Sequence, residues 1–166
     1  DVVLLGPVPT PTRARVVQGL LSGLYTIGPT PVWDTFTLVG EAGYVHVRDV
    51  DAACGPTSCS TELTNTANAW GYSFLALIDY KNVINGWDVQ LPLTYAAIGD
   101  GQSAFASGLG SLMGEGDRRA SIGINFTRLQ ALQIGVSLNA FLGKPDFKKR
   151  PYADRDYTAF TMKYTF

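Results

Sequence analysis

The chain has 166 residues, with 13 basic and 14 acidic side chains and a formal net charge of −1. That balance argues against a nucleic-acid partner, which calls for a basic face. Charged residues make up only 16% of the sequence, while Gly (18), Tyr (8) and Phe (8) are abundant, so the surface is short of charge compared with the roughly 25% of an ordinary soluble domain.

The first residues, "DVVLLGPVPTPT", lack the basic start and long apolar core of a secretory signal. The expectation is a chain already processed, or one that begins partway through a larger protein. The longest uncharged stretch runs from Val16 to Trp33, and Pro29 and Pro31 break any helix there, so a transmembrane helix is rejected. "RARVVQGLLSGLYTIG" is expected to be a strand, although its spacing suits an amphipathic helix nearly as well.

From there the side chains alternate with period two. "TFTLVGEAGYVHV" sets Phe36, Leu38, Gly40, Ala42 and Tyr44 against Thr35, Thr37, Val39, Glu41 and Gly43. "WGYSFLALIDYK" sets Trp70, Tyr72, Phe74, Ala76, Ile78 and Tyr80 against Gly71, Ser73, Leu75, Leu77, Asp79 and Lys81. "WDVQLPLTYA" opposes Trp87, Val89, Leu91, Leu93 and Tyr95 to Asp88, Gln90, Pro92 and Thr94. "RASIGINFT" opposes Ala120, Ile122, Ile124 and Phe126 to Arg119, Ser121, Gly123, Asn125 and Thr127. "LQIGVSLNAFL" separates Leu132, Ile134, Val136 and Leu138 from Gln133, Gly135, Ser137 and Asn139. The last strand separates Phe160, Met162, Tyr164 and Phe166 from Ala159, Thr161, Lys163 and Thr165.

The connections alternate in length. "GPTP", "ING" and "LQA" are tight, whereas residues 48–68, 98–117 and 143–154 are long, polar and rich in Gly, Ser and Asp. Short turns at one end and long loops at the other predict an all-β, antiparallel up-and-down transmembrane β-barrel with both interfaces lined by aromatics. Trp33, Tyr80, Trp87, Phe126, Tyr164 and Phe166 fall on the short-turn side, and Tyr44, Trp70, Tyr72 and Tyr95 towards the long loops. The apolar face is nearly free of charge, as lipid requires. A soluble sandwich is the competing architecture, but it would have to bury those aromatics in a core with long loops at one end only.

Inside such a barrel the expected lumen-facing groups are Glu41, Asp79, Lys81, Asp88, Gln90, Arg119, Asn125, Gln133, Asn139 and Lys163. Inward charges set the field and bore of a pore; a purely structural network that fills a wide interior is the alternative. Cys54 and Cys59 in "CGPTSC" are expected to close a disulfide in an oxidising compartment rather than to remain free thiols. A zinc site would want four ligands, and the only histidine, His46, lies outside this loop. No catalytic group, metal or cofactor is expected. His46 shares a face with Tyr44 near a loop, no G-x-S-x-G motif occurs, and "RDVD" and "GDG" fall short of a calcium loop. Lys148, Lys149, Arg150, Asp154, Arg155 and Asp156 form a charged rim suited to a solvated loop or to lipopolysaccharide phosphates.

The chain ends on an aromatic in mid-strand, with Tyr164 and Phe166 on the apolar face. This resembles the terminal signal read by the outer-membrane assembly machinery, and it places the C-terminus on the periplasmic side. Counting back gives seven strands after residue 11, whereas single-chain bacterial barrels have an even number. Either "DVVLLGPVP" holds a short extra strand, or the chain is the C-terminal part of a larger barrel, the reading preferred here. "TFTLVGEAGYVHV", "WGYSFLALIDYKNVINGWDVQLPLTYA" and "YADRDYTAFTMKYTF" closely resemble the C-terminal portion of a proteobacterial outer-membrane family known as domain of unknown function 1302. The resemblance covers most of residues 30–166 and implies a large Gram-negative outer-membrane barrel. It also implies a periplasmic companion protein, exporter-like neighbours and a part in moving hydrophobic compounds. The expected function is a porin-like channel for small molecules, hydrophobic ones among them; the alternative is a plugged structural or partner-binding barrel.

Overall fold

The computed structural model describes residues 2–5, 8–104, 109, 112, 114–147 and 149–166. An amino-terminal hairpin pairs β1 (Val2–Leu5) with β2 (Val8–Pro11), and the long strands β3 (Arg15–Ile27) and β4 (Thr35–Arg48) follow. Two short arms, β5 (Ala53–Cys54) and β6 (Cys59–Ser60), precede β7 (Asn68–Ile84), β8 (Trp87–Asp100), β9 (Arg118–Arg128), β10 (Leu132–Leu142) and β11 (Tyr157–Tyr164). Among the described residues no helix is long and apolar enough to cross a membrane.

Seven strands form one antiparallel sheet in the order β3-β4-β7-β8-β9-β10-β11, each next to its neighbour in the chain apart from the small β5–β6 hairpin. The segment that suited helix or strand equally is therefore β3. Its partner decides the matter: Val16 to Ile27 pair residue by residue with Val47 to Phe36, which no isolated periodicity could reveal. The tight connections fall at one end, residues 28–34, 85–86 and 129–131, and the long ones at the other. Gly86 (φ 78°) supplies the left-handed backbone of the two-residue turn, and its N–H donates to Asn82 Oδ1 at 3.0 Å.

The sheet is open. Among the described residues β3 pairs only with β4 and β11 only with β10, so these strands do not close the expected barrel. The physical reason is parity: in a meander the first and seventh strands run the same way, and closing β3 on β11 would force a parallel pair into an antiparallel ladder. "DVVLLGPVP" does contain extended structure, but it holds the hairpin arms β1 and β2, which join no strand of the large sheet.

Among the described residues a core exists only at the long-loop end. Val3, Val45, Val47, Ala53, Ala69, Ala97, Ile98 and Ala104 are its buried apolar residues. The β1 backbone is tied to the loop after β6 by Leu4 N–H donating to Glu62 O at 2.8 Å, and Leu5 lies against Gly55 of the disulfide hairpin. Leu109 and Leu112 lie over Gly43 and Gly71, where the missing Cβ atoms leave room for them. Everywhere else the sheet is a single layer. Its accessible surface of 10813 Å² exceeds the about 8000 Å² of a compact monomer of 17.9 kDa, so the second layer of a sandwich is missing.

Cys54 and Cys59 face each other across β5 and β6 and are bonded. For so short a ring the loop-closure gain is about 2 kcal/mol. Replacing both by Ser should speed amide exchange over residues 49–67 and in the amino-terminal hairpin, with the seven-stranded sheet unchanged. Exchange that stayed slow there would show that β1 contacts alone hold the segment.

Candidate functional site: the polar face of the sheet

Opposed residues in an antiparallel ladder share a face, so register alone sorts the side chains. One row runs Glu41, Ser73, Ala96, Arg119, Phe141; a second runs Val39, Leu75, Thr94, Ser121, Asn139, Tyr157. Nearer the short turns, Asp79, Gln90, Asn125, Gly135 and Thr161 share a row, followed by Asp88, Thr127, Gln133 and Lys163. All ten polar candidates therefore stand on one face of the sheet.

Two clefts divide that face, an upper one nearer the long loops and a lower one nearer the short turns. The first, about 440 Å³ and nearer the loops, touches six consecutive strands from β4 to β11 and holds Glu41, Arg119 and Asn139. Flat strands about 4.8 Å apart could not share one cleft over that span, so the sheet curls and this face is concave. The second, about 540 Å³, holds Asp79, Lys81, Asp88, Gln90, Asn125, Gln133 and Lys163. Between them lies the row with Leu77 and Pro92.

Local chemistry holds the groups in place. Gln90 Nε2 donates to Asp79 Oδ1 at 2.8 Å, Lys81 Nζ lies 3.5 Å from Asp88 Oδ2, and Asp88 Oδ1 accepts from Asn82 N–H at 2.8 Å. Thr94 and Ser121 share a hydrogen bond of 2.6 Å. Arg119 Nη2 reaches Asp117 Oδ2 at 3.0 Å, and its guanidinium lies 5.0 Å from the Phe141 ring centre. Pro92 has no N–H, and β8 and β9 are unpaired at Leu91 and Pro92.

The opposite face is apolar and exposed. Phe74, Ile122, Leu138, Phe160 and Met162 stand out of the sheet, Phe160 and Met162 at 67% and 65% exposure. Aromatics gather towards its two ends. Near the loops Trp70 stacks beside Tyr72 (5.9 Å) and Tyr72 meets Tyr95 (6.1 Å), with the Trp70 indole lying where Gly99 would carry a Cβ. Near the turns Trp33 meets Phe36 (5.7 Å), Arg128 lies over Trp87 (5.7 Å), and Tyr164 meets Phe166 (6.1 Å). Charges on this face sit at its margins, Arg15, Arg48 and Arg118 at one end and Arg128 at the other.

His46 belongs to an edge cluster in which Asn68 Oδ1 accepts from Tyr44 OH at 2.8 Å and lies 2.6 Å from His46 Nδ1. Among the described residues no group of three metal-ligating side chains occurs. In the rim, Lys149 pairs with Glu115 (2.6 Å), Arg155 lies over Tyr152 and Asp156 accepts from Phe141 N–H, while Lys148 lies outside the described residues. The Lys149 ammonium holds the Glu115 carboxyl below its ordinary range. The carboxyl therefore stays ionised, and keeps this contact, to a lower pH than it would unpaired.

Sequence reasoning missed Asp117, the buried partner of Arg119. The signal was present in "DRR", because residues two apart on a strand share a face. It also missed Phe141 and Tyr157, whose place in the cleft follows only from the β9–β10–β11 register.

Comparison with known proteins adds one finding: the profile of the family described as "Protein of unknown function (DUF1302)" matches residues 3–166. The matched span includes the disulfide hairpin and β3 as well as the segments from residue 30 onwards. No curated protein and no solved structure matches.

Arg119→Met would leave the Asp117 carboxylate, whose side chain is 7% exposed, without its guanidinium. The expected loss is about 3 kcal/mol in thermal or denaturant unfolding, largely recovered in Asp117→Asn, Arg119→Met. Additive losses in the double variant would deny the pair.

Proposed function

This chain belongs to the DUF1302 family, proteins of unknown function, and on that footing we propose that it forms part of the wall of a Gram-negative outer-membrane β-barrel that passes small molecules, hydrophobic ones among them. The observation that carries the reading is the inversion of the sheet. The concave face gathers all ten polar candidates in two clefts, and the convex face exposes aliphatic and aromatic side chains. A soluble sheet would be built the other way round.

The aromatic belts support the same reading. On β7, Trp70 and Tyr80 are ten residues apart, about 33 Å along the strand and about 25 Å across a bilayer at a tilt of about 40°. That equals the height of the apolar band in an outer-membrane barrel. Lipid and lipopolysaccharide would contact the convex face, with arginines at its margins in the headgroup layer. The short turns would lie in the periplasm, with Tyr164 and Phe166 near them at that interface, where the assembly machinery would meet the barrel. A periplasmic partner protein would meet the same end. Antiparallel closure between β11 and β3 calls for an odd number of further strands, which favours a larger barrel of which this sheet is one part.

A second reading, a plugged barrel with a structural or partner-binding role, is favoured by the loop-end core. Ile98, Leu109 and Leu112 gather there over Gly43 and Gly71 on the concave face. We propose no enzymatic activity and no cofactor.

Conductance of the purified full-length protein in a planar bilayer separates the two. A channel should show steady openings whose selectivity moves towards anions in Asp79→Asn, Asp88→Asn, because both carboxylates line the lower cleft. A folded but silent protein would favour the plug.

A further inference from the structure

We infer that the upper cleft is a binding station for organic cations, amphipathic molecules with an aromatic or alicyclic body and one positive charge. The inference rests on the reading of the concave face as a lumen and names the class of solute it would hold. The cleft of about 440 Å³ is within the usual range for small-molecule sites, about 300–1,000 Å³.

Its charges decide the sign of the ligand. Glu41 and Arg119 are the charged residues that line it. Arg119 is already matched, by Asp117 at 3.0 Å and by the face of Phe141 at 5.0 Å. Glu41 stands three strands away in the same row, about 14 Å along the sheet, and among the described residues it makes no ion pair. The cleft thus carries one uncompensated negative charge.

The remaining wall is largely apolar. Val39 and Leu75 flank Glu41 on the next row, and the Tyr157 ring, half exposed, closes the far side at β11. A cation seated against Glu41 with its body over Val39 and Leu75 would satisfy the carboxylate while removing apolar surface from water. An anion of equal shape would gain the apolar contacts and meet Glu41 repulsively.

The test uses the full-length protein in lipid nanodiscs, titrated with ethidium as an aromatic cation and with 1-anilinonaphthalene-8-sulfonate as an aromatic anion, against empty nanodiscs. Ethidium should bind at one site, about tenfold more weakly in Glu41→Gln, and not at all in Ser73→Trp, which places an indole directly beside Glu41 in the same row. Glu41 is exposed, so its substitution leaves the fold intact whatever becomes of the Trp variant. Equal ethidium affinity in wild type and Glu41→Gln, or tighter binding of the sulfonate, would overturn the assignment. Conductance read on the same preparations keeps the two ideas apart. A protein that conducts but binds ethidium without regard to Glu41 loses the cation station and keeps the channel; a silent protein with Glu41-dependent binding loses the channel and keeps the station.

Discussion

The antiparallel ladder of seven strands is the constraint on which the rest depends. Because side chains alternate and opposed residues share a face, once β7 is placed with Asp79 inward, register carries the choice to Gln90, Asn125 and Gly135 on three further strands. A slip of one residue at any pair would exchange Phe126 for Asn125 and put an amide among the aliphatic side chains. Two sets of contacts resist such slips. Asn125 Oδ1 occupies the space above Gly135, where any Cβ would collide with it, and Phe74 packs its ring 3.3 Å from the place of a Gly40 Cβ. Glycine is thus used on both faces as a seat for a neighbouring strand's side chain.

The same ladder explains why so little of the molecule is conventionally buried. A single layer has no inner and outer side until it curls, and curling creates a concave side that is smaller than the convex one. Small and polar residues suit the concave side, as Ser73, Thr94, Ser121, Gly123 and Ser137 do. The larger aliphatic and aromatic residues fan out on the convex side. Among the described residues the concavity is filled from within the chain at the long-loop end, by Leu109 over Gly43 and by Ile98 and Leu112 over Gly71. In the proposed barrel this filling would narrow the loop-side mouth, and lipid would take the place that a second layer occupies in a sandwich.

How legible this was in the sequence differs by element. The long strands were plain, since "WGYSFLALIDYK" and "RASIGINFT" carry their faces in strict alternation. The Cys54–Cys59 bridge was legible from its polar loop and spacing. β3 was ambiguous because "VVQGLLSGLY" is apolar at both parities; Leu20 and Leu24 stand on the concave side and Leu21 on the convex, all exposed. Pairing with β4, not local pattern, decides such a segment. Of the amino-terminal segment only the chance of a short strand was legible, not its fold into the hairpin β1–β2, and the inward fold of Leu109 and Leu112 could not be read at all, because four-residue arms and loop leucines have no period to betray them. The polar residues were sorted to the right face, but their division into two clefts depends on curvature, which no single strand encodes.

That division has a further consequence for the proposed passage. The upper cleft is lined chiefly by apolar atoms around one unmatched carboxylate, Glu41, whereas the lower one carries amides and the matched pair Lys81–Asp88. The row between them offers no charge: Leu77 opposes Pro92, and a Cβ on Gly123 would lie 3.0 Å from the Pro92 ring. A solute moving between the clefts would leave the neighbourhood of Glu41 and cross an uncharged sill before meeting Asp79 and Asp88. For an organic cation this arranges carboxylates on both sides of a low-polarity step, so that desolvation at the sill is opposed from either side by an attraction close by. For a strongly hydrated inorganic ion the same sill offers nothing in place of lost water. In the proposed passage the order of chambers would therefore favour solutes that carry their own apolar surface, through the placement of Leu77 and Pro92 in an otherwise polar face.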